Sequence, residues 1–291
     1  MARSVKAEIE ALREELRRHN RLYFVEAKPE ISDLEFDKLM KRLQQLEAEH
    51  PEFDAPDSPS RQVGGEPVEG FNTVVHRIPM LSIDNCYDEA ALLEFDARIK
   101  KLVPNENIEY TVEYKVDGVA MSVTYENGLM VQAVTRGDGT RGDDVTSNAR
   151  TIGGVPLRLH AKSPPAVVEI RGEAYISNSD FAALLAKQKE AGKEAFANSR
   201  NTAAGALKLL DPRLCAARKV RFLTHGSGYV EGIEFKNHME FLHKVREWGI
   251  EVCCRLRPPT DLTRISNYSQ YGSAPRERSE TPCSGAMRCA Q

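Results

Sequence analysis

The chain has 291 residues, which is enough for two domains of roughly 150 residues each. Hydrophobic residues make up 41% of it and charged residues 29%, and this ordinary usage excludes a wholly disordered chain. Forty Lys and Arg against 43 Asp and Glu give a formal net charge of −3, so any contact with nucleic acid must be local rather than a general basic coat.

The sequence carries no pattern for export, for a membrane span or for a zinc site. Its first residues lack the apolar segment of a secretory signal, and no apolar run approaches about 18 residues. The six cysteines lack the C-x₂-C spacing of a zinc site. Scattered thiols without an export signal are typical of reduced proteins, so we expect a cytoplasmic protein with no membrane partner.

Two amphipathic helices are predicted at the N-terminus. Apolar residues recur at helical spacing from Val5 to about residue 23, and charged residues between them form a solvent-facing side. A second helix begins at Ser32, which forms an S-x-x-E capping box with Glu35. Its apolar face consists of Phe36, Leu39, Leu43 and Leu46. Because only a short turn separates the helices, we expect them to pack as an antiparallel hairpin.

Strand patterns follow a linker that is rich in proline and glycine, with a domain boundary between about residues 58 and 72. Asn127-Gly128 between two alternating runs predicts a β-hairpin. The predicted strands are 111–116, 119–125, 129–135, 167–176 and 222–229, with helices over 180–191 and 237–248. Since regular βαβ spacing is missing, we predict an α+β fold, with a helical hairpin domain (residues 1–65) before a mainly antiparallel domain (66–259).

The last 32 positions, residues 260–291, differ in composition from the rest of the chain. Their large aliphatic residues are only Leu262, Ile265 and Met287, among many Ser and Arg. Neither helical nor strand periodicity is present there. We therefore expect a disordered tail over 260–291.

The run Glu113-Tyr114-Lys115-Val116-Asp117-Gly118 combines the residue types of a reactive lysine site. Strand alternation puts Glu113, Lys115 and Asp117 on one face, and Gly118 allows a sharp turn or a close ligand. A lysine nucleophile must be neutral, which requires burial or nearby cations. Candidate cations are Arg136, Arg171 and Arg200. Taken alone, a lysine flanked by acids is more often part of a surface ion pair.

Lys115 to Gly118 match the K-x-D-G motif of covalent nucleotidyltransferases, which is weak by itself. Further segments that match in order are Asp57-Ser58-Pro59, Val63-Gly64, His76 to Ser82 (HRIPMLS), Asp84-Asn85, Thr135 to Thr146 (TRGDGTRGDDVT), Glu169 to Glu173 (EIRGE) and Phe196 to Gly205 (FANSRNTAAG). With these segments, roughly residues 5–258 resemble the bacterial NAD-dependent DNA ligases.

The resemblance implies a helical domain that contacts the nicotinamide mononucleotide half of NAD, before a nucleotidyltransferase (adenylation) domain. It implies that the lysine attacks the α-phosphorus of NAD, releases nicotinamide mononucleotide and carries AMP. The AMP would then pass to a DNA 5′-phosphate, and a 3′-hydroxyl would displace it to seal the nick in replication and repair. It also implies Mg²⁺ (or Mn²⁺), which offsets phosphate charge. The implied partner is nicked double-stranded DNA.

Carried over residue by residue, the resemblance makes Lys115 the nucleophile. Glu113 would contact the adenine edge, where an amino group needs an acceptor, and Arg136 would face the ribose or α-phosphate. Asp117 would orient Lys115 or support the metal, and Glu173 would hold a ribose hydroxyl or the metal. Without the resemblance, each of these acids would be interpreted as part of a salt bridge on a strand face.

Ser82 and Ile83 would line the adenine and ribose site, and Arg200 would belong to the same nucleotide site. In the helical domain the resemblance implies a nicotinamide-binding set: Tyr23, Asp33, Leu34, Glu35, Phe36 and Asp37. Asp33 and Asp37 lie four apart on one helical face, where they can meet a positively charged nicotinamide ring. In the alternative interpretation, Asp33 only complements the helix N-terminus.

The chain departs from the family at several positions. Phe24 and Phe36 stand where polar aromatic residues are usual, and Lys208 replaces a usual Arg. After about Pro259 the family continues with strands whose lysines contact the α-phosphate, but no lysine follows Lys244 here. The family's DNA-encircling domains and zinc finger have no counterpart either. We therefore expect an adenylation domain that is incomplete at its C-terminus and impaired.

Three functions remain open on the sequence alone. The first is an NAD-dependent DNA ligase adenylation segment that forms lysyl-AMP. The second is a relic that binds NAD or AMP without forming the lysyl adduct. The third is a nucleotidyltransferase that acts on RNA or on another acceptor.

Overall fold

The computed structural model describes residues 2–24, 30–63, 69–83, 88–106, 108–252 and 283–290. Helices are α1 (Ala2–Phe24), α2 (Asp33–Glu49), α3 (Glu89–Leu102), α4 (Thr146–Ala149), α5 (Asn178–Glu190), α6 (Ser199–Leu207), α7 (Pro212–Ala216) and α8 (His238–Glu247). Strands are β1 (Thr73–Val75), β2 (Thr111–Val116), β3 (Val119–Glu126), β4 (Leu129–Thr135), β5 (Arg141–Asp143), β6 (Val167–Tyr175), β7 (Arg221–Glu231) and β8 (Cys283–Ala290). None of these helices is both long and apolar enough to span a bilayer.

Helices α1 and α2 pack on each other and form the helical unit. Ser32 Oγ accepts from the Glu35 main-chain N–H, and the Glu35 carboxylate accepts from the Ser32 N–H at 2.9 Å, so the predicted capping box is confirmed. Short 3₁₀ turns at Pro51–Phe53 and Pro59–Val63 follow α2. The buried core of the unit consists of Ile9, Leu12, Leu16, Met40, Leu43 and Leu46. The predicted residues Leu43 and Leu46 are buried, whereas Phe36 and Leu39 are only partly buried and the buried Met40 was not predicted.

The β-rich unit is built on a four-stranded antiparallel sheet in the order β4-β3-β6-β7. The predicted hairpin is present: Asn127 and Gly128 join β3 to β4 with φ of 49° and 81°, the left-handed conformations that a two-residue turn requires. The core beside this sheet includes Tyr125, Phe222 and Trp248, which are fully buried. Helices before antiparallel strands confirm the predicted α+β class.

The tail expected to be disordered over residues 260–291 contains a strand, β8, so that expectation was wrong for residues 283–290. Residues 283–290 pair antiparallel with β2, with Glu113 opposite Arg288 in the register. The sequence CSGAMRCA has no strand periodicity, but main-chain N–H and C=O groups along β2 need partners whatever the side chains are. Residues 260–282 and 291 lie outside the described residues.

Candidate active site

Lys115 lies near the end of β2, where the strand is irregular. Glu113 is 5% exposed, whereas the next residue, Tyr114, is 56% exposed. Lys115 is half-buried, and Asp117 follows directly after the strand. Val116 is also buried, and the pairing of β2 with β8 shifts register between Tyr114 and Val116. The strict alternation predicted for this segment therefore does not extend through Lys115.

Gly118 determines how the chain turns from β2 into β3. A Cβ added at this position would lie 2.5 Å from the main-chain oxygen of Ala174 in β6, a separation that real Cβ atoms do not show. Any side chain there would push the Lys115 strand away from β6. The glycine of the K-x-D-G motif thus fixes the close approach of the lysine to the main sheet.

The carboxylate of Glu113 is buried, and the described part of the chain bonds only one of its oxygens. His238 Nε2 lies 2.7 Å from Glu113 Oε1, and the two side chains are 12% and 2% exposed. Oε2 has no hydrogen-bond partner among the described residues. An unpaired buried acceptor costs roughly 1–3 kcal/mol, and more when it is charged. This oxygen is therefore suited to a hydrogen-bond donor from a ligand.

Asp117 and Arg200 are brought together by the start of α6. Arg200 Nη1 lies 3.3 Å from Asp117 Oδ1. The N-cap of α6 fixes the turn that presents Arg200, since Asn198 Oδ1 accepts from the Asn201 N–H at 2.7 Å. Both partners of the ion pair are exposed, so it contributes little stability and can open for a ligand.

Arg136 and Ser82 also lie together. Arg136 Nη1 is 3.5 Å from Ser82 Oγ, at the limit of a hydrogen bond. The main chain of Arg136 is fixed on two sides, because its N–H donates to Ala120 O at 2.9 Å and its carbonyl accepts from the Gly139 N–H at 3.0 Å. His76 Nε2 lies 3.1 Å from the same carbonyl. A guanidinium with a fixed base and an exposed head is suited to an anionic ligand group.

Arg171 holds the segment that carries Ser82 and Ile83, a role that the sequence did not reveal. Its guanidinium donates to Pro79 O at 2.9 Å and to the neighbouring Ile78 O. Its Nε donates to the buried carboxylate of Glu169 at 2.8 Å. Arg171 was expected only to be a cation near Lys115, whereas here it ties β6 to the loop after β1.

Glu173 faces His225 on the neighbouring strand β7, with 3.9 Å between Glu173 Oε1 and His225 Nε2. Both side chains are largely buried. His225 was not predicted to be near the site, because its approach depends on the pairing of β6 with β7. Alternation in EIRGE, which puts Glu169, Arg171 and Glu173 on one face, was the only sequence signal for this side of the site.

The helical-unit candidates with described side chains are Glu35, Phe36 and Asp37, and none of the contacts described for them involves Lys115. Glu35 is engaged in its capping box, Asp37 is exposed, and Phe36 lines a cleft of about 190 Å³ together with Arg17 and Gly153. Within the described part of the chain, no candidate from the β-rich unit lines this cleft. The side chains of Tyr23, Asp33 and Leu34 lie outside the described residues.

The described residues contain no group of three or more His, Cys, Asp or Glu side chains that could hold a metal ion. Any divalent cation at this site would therefore depend on one or two carboxylates together with ligand oxygens, which is the usual arrangement for Mg²⁺.

Two family models match the chain in succession. Residues 2–64 match the DNA ligase-like, N-terminal NAD⁺-binding domain. Residues 68–287 match the NAD-dependent DNA ligase adenylation domain. The second match extends beyond Pro259, where the sequence had suggested that the resemblance ends, and it includes part of β8.

Curated relatives of the chain are named DNA ligase. That of Coprothermobacter proteolyticus is 42% identical over 282 residues, which cover 97% of this chain and 42% of that protein. That of Akkermansia muciniphila is 49% identical over 249 residues, covering 83% and 31%, and that of Desulforamulus reducens is 45% identical over 252 residues, covering 87% and 37%. The chain thus spans about two fifths or less of the length of these relatives. Because the adenylation-domain model alone matches most of the chain, the chain belongs to the NAD-dependent DNA ligase family.

Proposed function

We propose that this chain forms a lysyl-AMP intermediate from NAD at Lys115, as the first step of DNA ligation. One observation carries the proposal. Glu113 Oε2 is buried and has no donor among the described residues, and Glu113 lies two positions before Lys115 on the same strand. A carboxylate oxygen in that state suits the exocyclic amino group of adenine, which must donate. Adenine bound there would lie beside the lysine amine.

Lys115 would attack as the neutral amine. Its Nζ would bond to the α-phosphorus of NAD while the bond from that phosphorus to the leaving phosphate oxygen breaks. Nicotinamide mononucleotide would leave as an anion, and the amine proton would pass to solvent. Arg136 would hold a phosphate or ribose oxygen, because a fixed fork of donors suits that geometry. We assign Ser82, Ile83, Glu173 and Arg200 to the walls of the same nucleotide site.

Residues 1–65 would serve the nicotinamide half of NAD and residues 66–259 the adenylate. Tyr23, Asp33, Leu34, Phe36 and Asp37 would contact nicotinamide mononucleotide, with Glu35 in the same segment. Since Phe36 lines a cleft away from Lys115, this contact requires another placement of the helical unit. The match of residues 2–64 to an NAD⁺-binding domain supports the assignment.

Mg²⁺ (or Mn²⁺) would supply charge neutralisation at the phosphates. Mg²⁺ is commonly held by one or two carboxylates plus substrate phosphates. Asp117, which is accessible and pairs with Arg200 through Oδ1, fits that requirement, and Glu173 is the second candidate. These carboxylates would hold the ion and keep it beside Lys115.

Later steps would involve partners outside this chain. AMP would move to the 5′-phosphate at a nick in double-stranded DNA, and the adjacent 3′-hydroxyl would displace it, in replication and repair in the cytoplasm. The relatives named DNA ligase support this part of the proposal. Because the chain spans 31–42% of their length, nick sealing is proposed for the whole protein.

Mass spectrometry of the purified chain after incubation with adenine-labelled NAD tests the proposal. We expect one AMP on the peptide that contains Lys115, and no adduct on the Lys115→Ala variant. Labelling from ATP or GTP but not from NAD would instead indicate a transferase with another donor. Equilibrium binding of NAD without any adduct would indicate a protein that only binds the nucleotide.

A further inference from the structure

We propose that His238 is a positioning residue that sets the preference of this site for adenine. It would hold the Glu113 carboxylate so that Oε2 is presented to the base. The inference rests on the proposed function, because it takes Glu113 as the adenine contact. No pattern in the sequence links the two residues, which are 125 positions apart.

His238 has little freedom to move. It is the first residue of α8, and the cap of that helix is well formed because Asn237 Oδ1 accepts from the Glu240 N–H at 2.9 Å. The imidazole stacks on the buried ring of Phe241, with 6.0 Å between centroids and 30° between planes. Phe241 in turn packs edge-on against Phe235 at 5.3 Å. The ring is therefore fixed by aromatic packing on one side and by Glu113 on the other.

The contact with Glu113 also restricts the imidazole. His238 Nε2 and Glu113 Oε1 are 2.7 Å apart, and an ionised carboxylate can only accept, so with Glu113 in that form Nε2 is the donor. This bond uses one carboxylate oxygen and leaves the other, Oε2, buried and without a donor among the described residues. The orientation of the carboxylate is thus selected by a residue that does not itself need to touch the ligand.

This arrangement discriminates between purines. The amino group of adenine donates to Oε2, whereas the carbonyl of hypoxanthine at the same position would set two acceptors against each other. A site built around a buried polar group rejects an analogue that cannot pair with it far more strongly than an apolar pocket does. If His238 is removed, the Glu113 side chain can rotate away, and the penalty for hypoxanthine falls.

The full chain provides the test, with binding of AMP and of IMP measured by calorimetry. The variants are His238→Ala, His238→Gln, which keeps a donor near the position of Nε2, and His243→Ala, which removes an exposed histidine from the same helix. We expect His238→Ala to reduce the AMP-over-IMP preference by about tenfold, the worth of one hydrogen bond to a charged group. His238→Gln should restore most of it, and His243→Ala should leave it unchanged.

Two outcomes would overturn the inference. One is a His238→Ala variant in which AMP and IMP binding weaken by the same factor, which indicates only a structural role. The other is a parent chain with no preference between the two nucleotides. Lys115 adenylation from NAD and from nicotinamide hypoxanthine dinucleotide is measured in parallel. If the parent chain binds AMP selectively but forms no adduct, the proposed function fails, while the role of His238 is still decided by the binding ratio.

Discussion

Oδ2 of Asp57 lies 2.8 Å from Nη2 of Arg17, so the turn after the helical hairpin is tied back onto α1. The same oxygen accepts a hydrogen bond from Nε of Arg158, which belongs to the β-rich unit. One carboxylate oxygen therefore joins the helical unit, the linker and the β-rich unit. Two guanidinium groups are held together there only as long as Asp57 is ionised.

The first prediction follows from the charge of Asp57. Burial opposes ionisation, but the hydrogen bond from Arg158 and the charges of Arg17 and Arg158 outweigh it, so the pKa of Asp57 lies below its ordinary value of 3.8. A lowered carboxyl pKa contributes stability above the unfolded-state pKa, and this contribution disappears as the pH falls through the folded-state pKa. Asp57→Asn should therefore lower the free energy of unfolding near neutral pH by about 1–3 kcal/mol.

Urea unfolding of both proteins near neutral pH and in acid, well below the lowered folded-state pKa of Asp57, measures this effect. The difference between parent and variant should disappear in acid, where Asp57 is protonated in both states. Asp54→Asn, at an exposed ion pair with Arg61, is the matched control and should have little effect. An equal loss at both pH values would mean that the ion network is not the cause.

The second prediction concerns Glu251, whose pKa is shifted in the opposite direction from that of Asp57. Burial raises the pKa of Glu251 to about 7 from its ordinary value of 4.5, with the charge of Arg221 offsetting only part of the shift. A raised carboxyl pKa means that the folded state holds the proton more tightly, so stability is full below about pH 4.5 and falls as the pH rises through about 7. Glu251→Gln should therefore stabilise the chain by roughly 1–2 kcal/mol near pH 8 and hardly at all near pH 4.

Thermal unfolding across that range measures the Glu251 effect, with the exposed Glu190→Gln as the control. A variant that is stabilised equally at both ends of the range would rule out ionisation of Glu251 as the cause.

The third prediction concerns the turn after Lys115. Gly118→Ala should destabilise the chain by about 1–3 kcal/mol, because the new methyl group would meet the Ala174 carbonyl. It should also slow Lys115 labelling more than the stability loss explains, since the lysine strand would shift. The matched control is Gly70→Ala, where an added Cβ meets nothing within 4 Å. Normal labelling by a well-folded Gly118→Ala variant would contradict the proposed constraint.

The fourth prediction distinguishes two roles of Arg171, which pairs with the Glu169 carboxylate and also donates to the Ile78 and Pro79 carbonyls. Arg171→Met should destabilise the chain by about 3 kcal/mol, because the buried Glu169 carboxylate loses its cationic partner and keeps only the hydrogen bond from the Tyr229 main-chain N–H. Adding Glu169→Gln removes that charge and should restore much of the stability. NAD binding should stay weak in the double variant, since the Ile78 and Pro79 carbonyls still lack the hydrogen bonds from Arg171. Calorimetric unfolding and NAD titration of the parent chain and of the two variants test this, and recovery of both properties together in the double variant would contradict it.

Local patterns predicted much of the fold. The apolar spacing of α1 and α2 identified the buried residues Ile9, Leu16 and Leu43, and Asn127-Gly128 identified the β3–β4 turn. These features depend on residues that are close in sequence. Strand β8 was not predicted, because its sequence shows no alternation of apolar and polar residues. Its pairing also depends on β2, which is far away in the sequence.

The sequence predicted which residues form the candidate site, but not the contacts that hold those residues in place. The motifs that carry Lys115 and Arg136 are contiguous in sequence. By contrast, the bonds of Arg171 to main-chain carbonyls, and the contact of His238 with Glu113, exist only in the folded chain. Every residue carries a main-chain carbonyl that can accept a hydrogen bond. The sequence therefore does not show which carbonyls bond to Arg171.

Strand β2 is joined through its hydrogen bonds to β8 rather than to the four-stranded sheet. The main chain around Lys115 therefore has a different hydrogen-bonded neighbour from β3, although only two residues separate the strands. A two-stranded ladder is only marginally stable by itself. The position of the amine beside β6 and β7 consequently depends on side-chain packing, because Val116 lies in a buried cluster with Tyr175 of β6 and Leu223 of β7.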